Sequence, residues 1–251
     1  MPFNKNINGF RNEYEFSSYL NNKKVSELNI MFRNFIDDIF DNPDEDLDIK
    51  AYVNTTRKKY DICIVIDSSI KRISIKKGIK NSVHVEGISS FIHFLIQNGV
   101  RKEIIIEYLK YHYADGTTNG TGKERISVEE YKKNNQNKID MINNAINNKS
   151  ILYKAVRRFV LRGIENNEFI DCLLFGVVDD FIWIKKEDIV KLIMGKINEY
   201  SSAVHFGPLT VQPMNRCLNY NPKYEKTRFC VQIKWYNIVD DIIEYMNNKI
   251  V

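Results

Sequence analysis

The sequence is poor in the residues that cut a chain into pieces: it has 11 glycines and 5 prolines in 251 residues, no stretch rich in Gly, Ser or Pro, and no internal repeat. Without a linker, the expected organisation is a single domain over 1–251. Histidine is scarce, and His84, His93, His112 and His205 are scattered without metal-ligand spacing, so no zinc site is expected. Cys63, Cys172, Cys217 and Cys230 stand far apart with no C-x-x-C pair. A chain of this length needs no disulfide staples, so they read as reduced thiols in a cytosol. Those at 63, 172 and 230 lie in strand-like apolar runs, where a small hydrophobe is the ordinary role. No apolar stretch exceeds strand length, which argues against a membrane span. Met1-Pro-Phe-Asn-Lys is not followed by the apolar run of a signal peptide.

Neither sign of charge dominates: 37 Lys and Arg face 32 Asp and Glu, leaving a formal charge of +5 and a pI near 8.8. The excess suits a polyanionic partner without requiring one. With 43% hydrophobic and 12% aromatic residues, the chain can bury a substantial core, which excludes an intrinsically disordered class. Heavy use of Lys, Asn and Ile fits an AT-rich bacterial genome, so the expected compartment is a bacterial cytoplasm.

Hydrophobic periodicity sorts the chain into elements. Residues 9–40 read as helical, because Phe16, Leu20, Ile30, Phe32, Phe35, Ile36 and Ile39 recur at helical spacing and Asp41-Asn42-Pro43 stops the run. Residues 48–55 and the β-branched run 59–67 read as strands, Ser68-Ser69-Ile70 as a turn, and 71–77 as a returning strand with strict alternation. Gly78 and Asn81-Ser82 then open a predicted helix over 83–98, with Ile88, Phe91, Ile92 and Leu95 on one stripe. Residues 103–163 read as helical around a polar loop at 114–124. A hairpin is expected at 169–178 and 181–185, then a helix to about Glu199 and a short strand at 209–212. Along 228–235, Phe229, Val231, Ile233 and Trp235 alternate with Arg228, Cys230, Gln232 and Lys234; a last helix covers 237–247. The expected class is mixed α/β.

The informative stretch is Asp61 to Glu86. A hairpin turning at Ser69 brings residue 61 opposite 77, give or take one, and so sets Asp61 beside Lys76. Ser74 and Lys76 share a face by the period of two. The loop from Gly78 to Ser82 returns the chain into a helix whose first turn carries Glu86. Two carboxylates, a lysine and a hydroxyl then converge, as phosphodiester hydrolysis with a hard cation requires. The cation polarises the phosphate while a lysine orients water and offsets transition-state charge.

The Asp61 … Ser74-Ile75-Lys76 … Glu86 pattern resembles the PD-(D/E)xK nuclease superfamily, which includes most type II restriction endonucleases. Tyr60 stands where that family often has Pro, and Ser74 takes the position of its second acid. A subset of restriction enzymes similarly carries Ser-x-Lys, with the missing carboxylate supplied from the following helix, which makes Glu86 the candidate here. The resemblance implies a restriction-endonuclease-like αβββαβ core over about 9–100 and 168–199. It leaves a helical insertion over about 101–163 and a DNA-recognition region over about 200–251. The family often aims a first-helix Glu at the metal; Glu13, three residues before Phe16, outranks Glu15 but reads equally as a solvated glutamate. The implied cofactor is Mg²⁺, held by Asp61, Glu86 and Glu13, with Asp61, Lys76, Glu86 and Ser74 catalytic. The implied substrate is duplex DNA, cut by a homodimer.

Taken singly, each residue has an ordinary role: a solvated strand face, a helix-start glutamate, a turn aspartate. The functional reading rests on their convergence. For sequence readout, Gln212, Asn215, Arg216, Arg228, Gln232 and Lys234 supply the side chains that bond base edges, or else line a solvated strand face. Arg157, Arg158 and Arg162 read equally as phosphate contacts or a solvated helix face. Gly116 to Lys123 fails the phosphate-loop spacing, because Glu124 follows the lysine; no nucleotide cofactor is expected, and the segment reads as a mobile loop able to close over DNA. Two alternatives stay open: a repair or structure-specific nuclease of the same fold, and a non-catalytic DNA-binding protein with a decayed nuclease core.

Overall fold

A computed structural model describes residues 7–56, 58–78, 81–122, 125–164, 168–199, 202–215 and 222–250. The chain opens with helix α1 (Ile7–Leu20), strand β1 (Lys23–Lys24), a 3-10 turn (Val25–Glu27) and α2 (Ile30–Phe40). Strands β2 (Asp48–Val53), β3 (Ile62–Ile66), β4 (Ser69–Lys76) and β5 (Ser82–Gly87) follow. Next come α3 (Ile88–Gln97), α4 (Lys102–Tyr113), α5 (Val128–Ile146) and α6 (Lys149–Ala155), which runs on as a π-helix (Val156–Arg162). The remainder is β6 (Cys172–Val177), β7 (Asp180–Lys185), α7 (Lys186–Gly195), β8 (His205–Phe206), β9 (Leu209–Pro213), a 3-10 segment (Pro222–Phe229), β10 (Cys230–Trp235) and α8 (Ile238–Ile250). The class is mixed α/β. No helix among the described residues is long and apolar enough to cross a membrane.

The chain divides into two compact units, where its sequence reads as a single domain. One comprises Met1–Ile79, Leu161–Leu192 and Ile238–Val251, the other Lys80–Val160 and Ile193–Asn237. The backbone passes repeatedly from one to the other, so no linker composition marks the boundary.

The first unit is built on a sheet of order β1-β2-β3-β4-β6-β7, antiparallel except for the β4–β6 pair. Its core joins Phe16 and Leu20 of α1 and Phe32, Phe35 and Ile36 of α2 to Ile49, Ile62, Ile64, Ile73 and Leu174 of the strands, all fully buried. Each such side chain contributes about 1.5–3 kcal/mol by leaving water. Phe181 of β7 locks the helices down, its ring centroid 5.3 Å from Phe16 and 4.9 Å from Phe32. The stretch 9–40 is two helices rather than one: Asn22 takes a left-handed φ of 63° and Asn29 caps α2, accepting from the Phe32 N–H at 2.9 Å. Between them Lys23 and Lys24 add an edge strand to β2.

The β3–β4 hairpin closes earlier than its sequence predicts. Asp67 and Ser68 form the turn, Asp67 with φ 51°, and Ile66 already pairs Ser69. Ile62 therefore faces Ile73, and the expected pairing of 61 with 77 is displaced.

The second unit carries a four-stranded antiparallel sheet of order β5-β10-β9-β8. Val231, Ile233 and Trp235 are fully buried, as their alternation requires, but Phe229 lies outside the strand and is 44% exposed. An aromatic cluster of Phe91, Phe94, Tyr108, Phe159 and Phe206 fills the core, with Phe94 and Phe159 4.9 Å apart. Residues 82–87 form a strand instead of the first turn of a helix, and α3 begins only at Ile88. Its buried face carries His84 and Glu86 while Val85 is exposed, an inverted polarity that hides the strand from pattern reading. The loop after α4 is tied rather than loose: Asp115 accepts from Thr117 and Gly122 and pairs with Arg228, which also donates to the Gly122 carbonyl at 2.6 Å. The three described cysteines, Cys63, Cys172 and Cys230, are free thiols; Cys217 lies outside the described residues.

Gly176 sets how closely β6 approaches β7. Its φ is +138°, and an added Cβ would lie 2.2 Å from the Asp180 carbonyl oxygen. Gly176→Ala is expected to destabilise the protein by about 3 kcal/mol or more. Urea unfolding measures this, and a loss under roughly 1 kcal/mol would show that the hairpin can yield.

Candidate active site

In the first unit, Asp61 stands just before β3 and Ser74-Ile75-Lys76 close β4. Asn54 pins the connection that delivers Asp61: its N–H donates to the Asp61 carbonyl at 2.8 Å and its Nδ2 to the Tyr60 carbonyl at 2.8 Å. The Asp61 N–H in turn donates to Ile73 O at 2.8 Å, extending the ladder one residue beyond the strand. Asp61 Oδ2 then accepts from three successive residues of β4: Ser74 Oγ at 3.1 Å, the Ile75 N–H at 2.6 Å and Lys76 Nζ at 3.2 Å. Lys76 Nζ also donates to the Ile75 carbonyl at 3.0 Å. The expected meeting of Asp61 and Lys76 thus occurs by a different register. Ser74 is buried beneath the carboxylate and acts as a donor to it.

Helix α1 brings a second carboxylate. Asn12 donates to Gly176 O at 3.0 Å and Ser17 to Ala51 O at 3.0 Å, while Phe16 and Leu20 are fully buried. These contacts fix the helix by its 12/16/20 face, with Glu13 at the border. Glu15 is spent on Arg11 at 2.8 Å. Burial and then the negative charge of Asp61 raise the Glu13 pKa above the usual carboxylate value, against the charges of Lys76 and Lys77. Two carboxylates near enough to repel, one half-buried, are what a cation relieves. Asp61 Oδ1 and the Glu13 carboxylate have no hydrogen-bond partner among the described residues, so Asp61 and Glu13 have the donor atoms and charge to hold a divalent ion. Among those residues no three His, Cys, Asp or Glu side chains gather as a ligand set. A pair of carboxylates is within the one or two that Mg²⁺ ordinarily takes from a protein.

Glu86 is placed otherwise than its sequence position implies. It belongs to the second unit, in β5, with a fully buried side chain. Arg158 donates to Glu86 Oε2 at 2.8 Å, and His84 Nε2 lies 3.4 Å from the same oxygen. Burial acts to raise its pKa, but hydrogen bonds and charge from His84 and Arg158 outweigh that and hold it below the usual value. Within its own unit Glu86 is thus held by Arg158 and His84 through one carboxylate oxygen. Arg158, which reads as a phosphate contact or a solvated residue, is the partner of Glu86.

The residues expected to read bases separate as well. Gln212 of β9 and Gln232 of β10 pair across the sheet, Nε2 to Oε1 at 3.3 Å, and Tyr236 Oη donates to Gln212 Oε1 at 3.0 Å. Lys234 lies part-exposed on the same face, its ammonium 5.4 Å from the Tyr236 ring centroid. Asn215 occupies a left-handed turn (φ 52°) facing Thr227. Arg228 is withdrawn, its guanidinium committed to Asp115 and to the loop it closes. Arg216 lies outside the described residues.

No protein-family model matches the chain, and no curated protein matches it.

One group of the first unit went unread in the sequence. Lys59 lies two residues before Asp61, and burial followed by the charge of Lys76 lowers its pKa to about 7, against the pull of Asp61.

Two stability experiments separate the acids. Because the Glu13 pKa is raised, its charge costs the folded state more as pH rises above the usual carboxylate range. Glu13→Gln is therefore expected to raise the melting temperature of metal-free protein at neutral pH and to reduce the gain on adding Mg²⁺; unchanged melting under both conditions overturns the paired-acid description. Glu86 has a lowered pKa, so its contribution is present at neutral pH and is lost as pH falls through its native pKa. Arg158→Met, which strands that carboxylate, is expected to cost about 3–5 kcal/mol in urea unfolding at pH 7, more than Asp61→Asn.

Proposed function

We propose that the protein is a Mg²⁺-dependent DNA endonuclease of the type II restriction kind. The observation that carries this reading is the joining of Asp61, Lys76 and Glu13 at one end of the first sheet. The order of elements supports it: a helix, three antiparallel strands, and a later strand parallel to the third, which fits the αβββαβ core of the PD-(D/E)xK nucleases. The helix 88–97, expected within that core, belongs instead to the second unit.

In the mechanism, Asp61 and Glu13 would hold the cation. Bound there, Mg²⁺ would supply Lewis acidity at the phosphate and lower the pKa of an attacking water. Lys76 presents its ammonium to the phosphate and to that water, orienting the nucleophile and offsetting charge that builds on the phosphoryl oxygens. Asp61 Oδ2 holds the ammonium in place, and the Ile75 N–H and Ser74 hydroxyl fix the carboxylate. Ser74 binds no cation in this scheme; it holds Asp61 in its rotamer. The polar sheet face of Gln212, Gln232 and Lys234 is the candidate for base-edge contacts, as β-ribbons read the major groove. A homodimer would cut both strands of a palindromic site.

A second reading draws on Ser74, which leaves the strand without its second acid: a DNA-binding protein that no longer cuts. The same experiment decides between them. Purified protein with plasmid and Mg²⁺ is expected to yield discrete fragments, and Lys76→Ala or Asp61→Ala to lower the rate at least about 100-fold. Salt-sensitive binding without cleavage supports the second reading. Fragments that persist at the wild-type rate in Lys76→Ala end the proposed mechanism.

A further inference from the structure

The stretch from Met141 to Ile164 contains no Asp or Glu, yet it carries Lys149, Lys154, Arg157, Arg158 and Arg162, as much formal charge as the +5 of the whole chain. Folding sorts these five. Arg158 is spent on Glu86 at 2.8 Å and Ser90 at 2.9 Å, and Arg162 falls in the first unit. Lys149, Lys154 and Arg157 stay in the second unit, on α6 and the start of the π-helix that continues it. Ile151, Leu152, Ala155 and Phe159 are buried, so the opposite side of the helix turns outward. Lys149, Ser150, Tyr153, Lys154 and Arg157 are all exposed there.

Lys149 and Lys154 make no ion pair among the described residues. Arg157 is ordered by its neighbour: its Nη1 donates to Tyr153 Oη at 3.1 Å, and its guanidinium carbon lies 5.5 Å from that ring's centroid. Tyr153 is 41% exposed, so the stacked pair faces solvent. An arginine already ordered over a ring loses less freedom when it takes an anion. Cations gathered on a face without acids attract a polyanion. A membrane surface carries anions too, but a helix lying on one immerses apolar residues, and those of α6 are already in the core. A single strand is gripped by successive aromatic platforms, whereas this face has one ring, with Arg157 against it. The phosphate backbone of a duplex is the polyanion that remains.

We propose that the face of Lys149, Tyr153, Lys154 and Arg157 is a sequence-independent contact surface for the phosphate backbone of duplex DNA. The choice of DNA rests on the nuclease reading above; the charge and exposure of the face do not. Phosphate contacts of this kind supply affinity and register, while sequence is read elsewhere. The surface lies wholly in the second unit and contains none of the residues assigned to cleavage or to base edges.

The test removes the charges together, as Lys149→Gln, Lys154→Gln and Arg157→Gln in one protein. A control carries Lys102→Gln and Lys133→Gln, exposed lysines with acids beside them: Glu103 next to the first, Glu129 and Glu130 one helical turn before the second. Binding of two duplexes of unrelated sequence is measured without divalent ions over a salt series, and plasmid cleavage is measured separately with Mg²⁺. The triple variant is expected to lessen the slope of log K against log salt by about 2 to 3, near 0.9 for each charge removed, on both duplexes alike. The control is expected to keep the slope, and both proteins to melt with the wild type. An unchanged slope in the triple variant overturns the assignment, and wild-type cleavage of plasmid then leaves the nuclease reading intact. A control that loses as much slope per charge overturns it as well, since net charge alone then accounts for binding. Tighter binding of single strands than of duplex, lost in the triple variant, overturns the choice of partner. Duplex binding that weakens as expected in a protein that cuts nothing upholds the surface and ends the nuclease reading.

Discussion

Asp61 Oδ2 accepts hydrogen bonds from three successive residues of β4, and the site depends on that convergence. A part-buried carboxylate needs donors, and β4 supplies a hydroxyl, a main-chain N–H and an ammonium within 3.2 Å. Charge-assisted bonds of this kind are roughly twice as strong as neutral ones, so the arrangement is directional as well as favourable. It holds the lysine at the strand end and leaves Oδ1 open. The same carboxylate could not be held this way by a strand lacking a small hydroxyl at position 74. An acid there would remove one of the three donors and set a second anion beside the first.

The acids of the two units are treated oppositely. Glu86 is enclosed with Arg158 and His84, and its pKa is held down. Glu13 is left beside Asp61, and its pKa is raised. Paired buried charge is a feature of packing, because removing either partner strands the other. The raised value at Glu13 comes first from burial and then from Asp61, with Lys76 and Lys77 offsetting part of it.

The strands at 48–53, 62–66, 69–76, 172–177 and 180–185 were legible because their apolar residues alternate or run continuously. The helix at 88–97 was legible from its stripe, and the strand 230–235 from Val231, Ile233 and Trp235. Residues 82–87 were not, because the strand turns His84 and Glu86 inward and Val85 outward, reversing the polarity that pattern reading assumes. The two-residue turn at Asp67-Ser68 was misplaced by its neighbours, since Ser69 and Ile70 are compatible with either turn or strand. Arg228 looked available for a base because nothing near it in sequence announces Asp115, over a hundred residues away.

By itself, the sequence determined the mixed α/β class, most of the strands and helices, and the Asp61, Ser74 and Lys76 set. These follow from local periodicity and from residue types a short distance apart on one hairpin. Only the tertiary structure decided the division into two units, the hairpin register and the ion pairs that Glu86 and Arg228 make. The reason is physical: a charged side chain's role is set by the opposite charges that folding brings to it. Those partners, Arg158 for Glu86 and Asp115 for Arg228, come from distant segments that no local pattern connects.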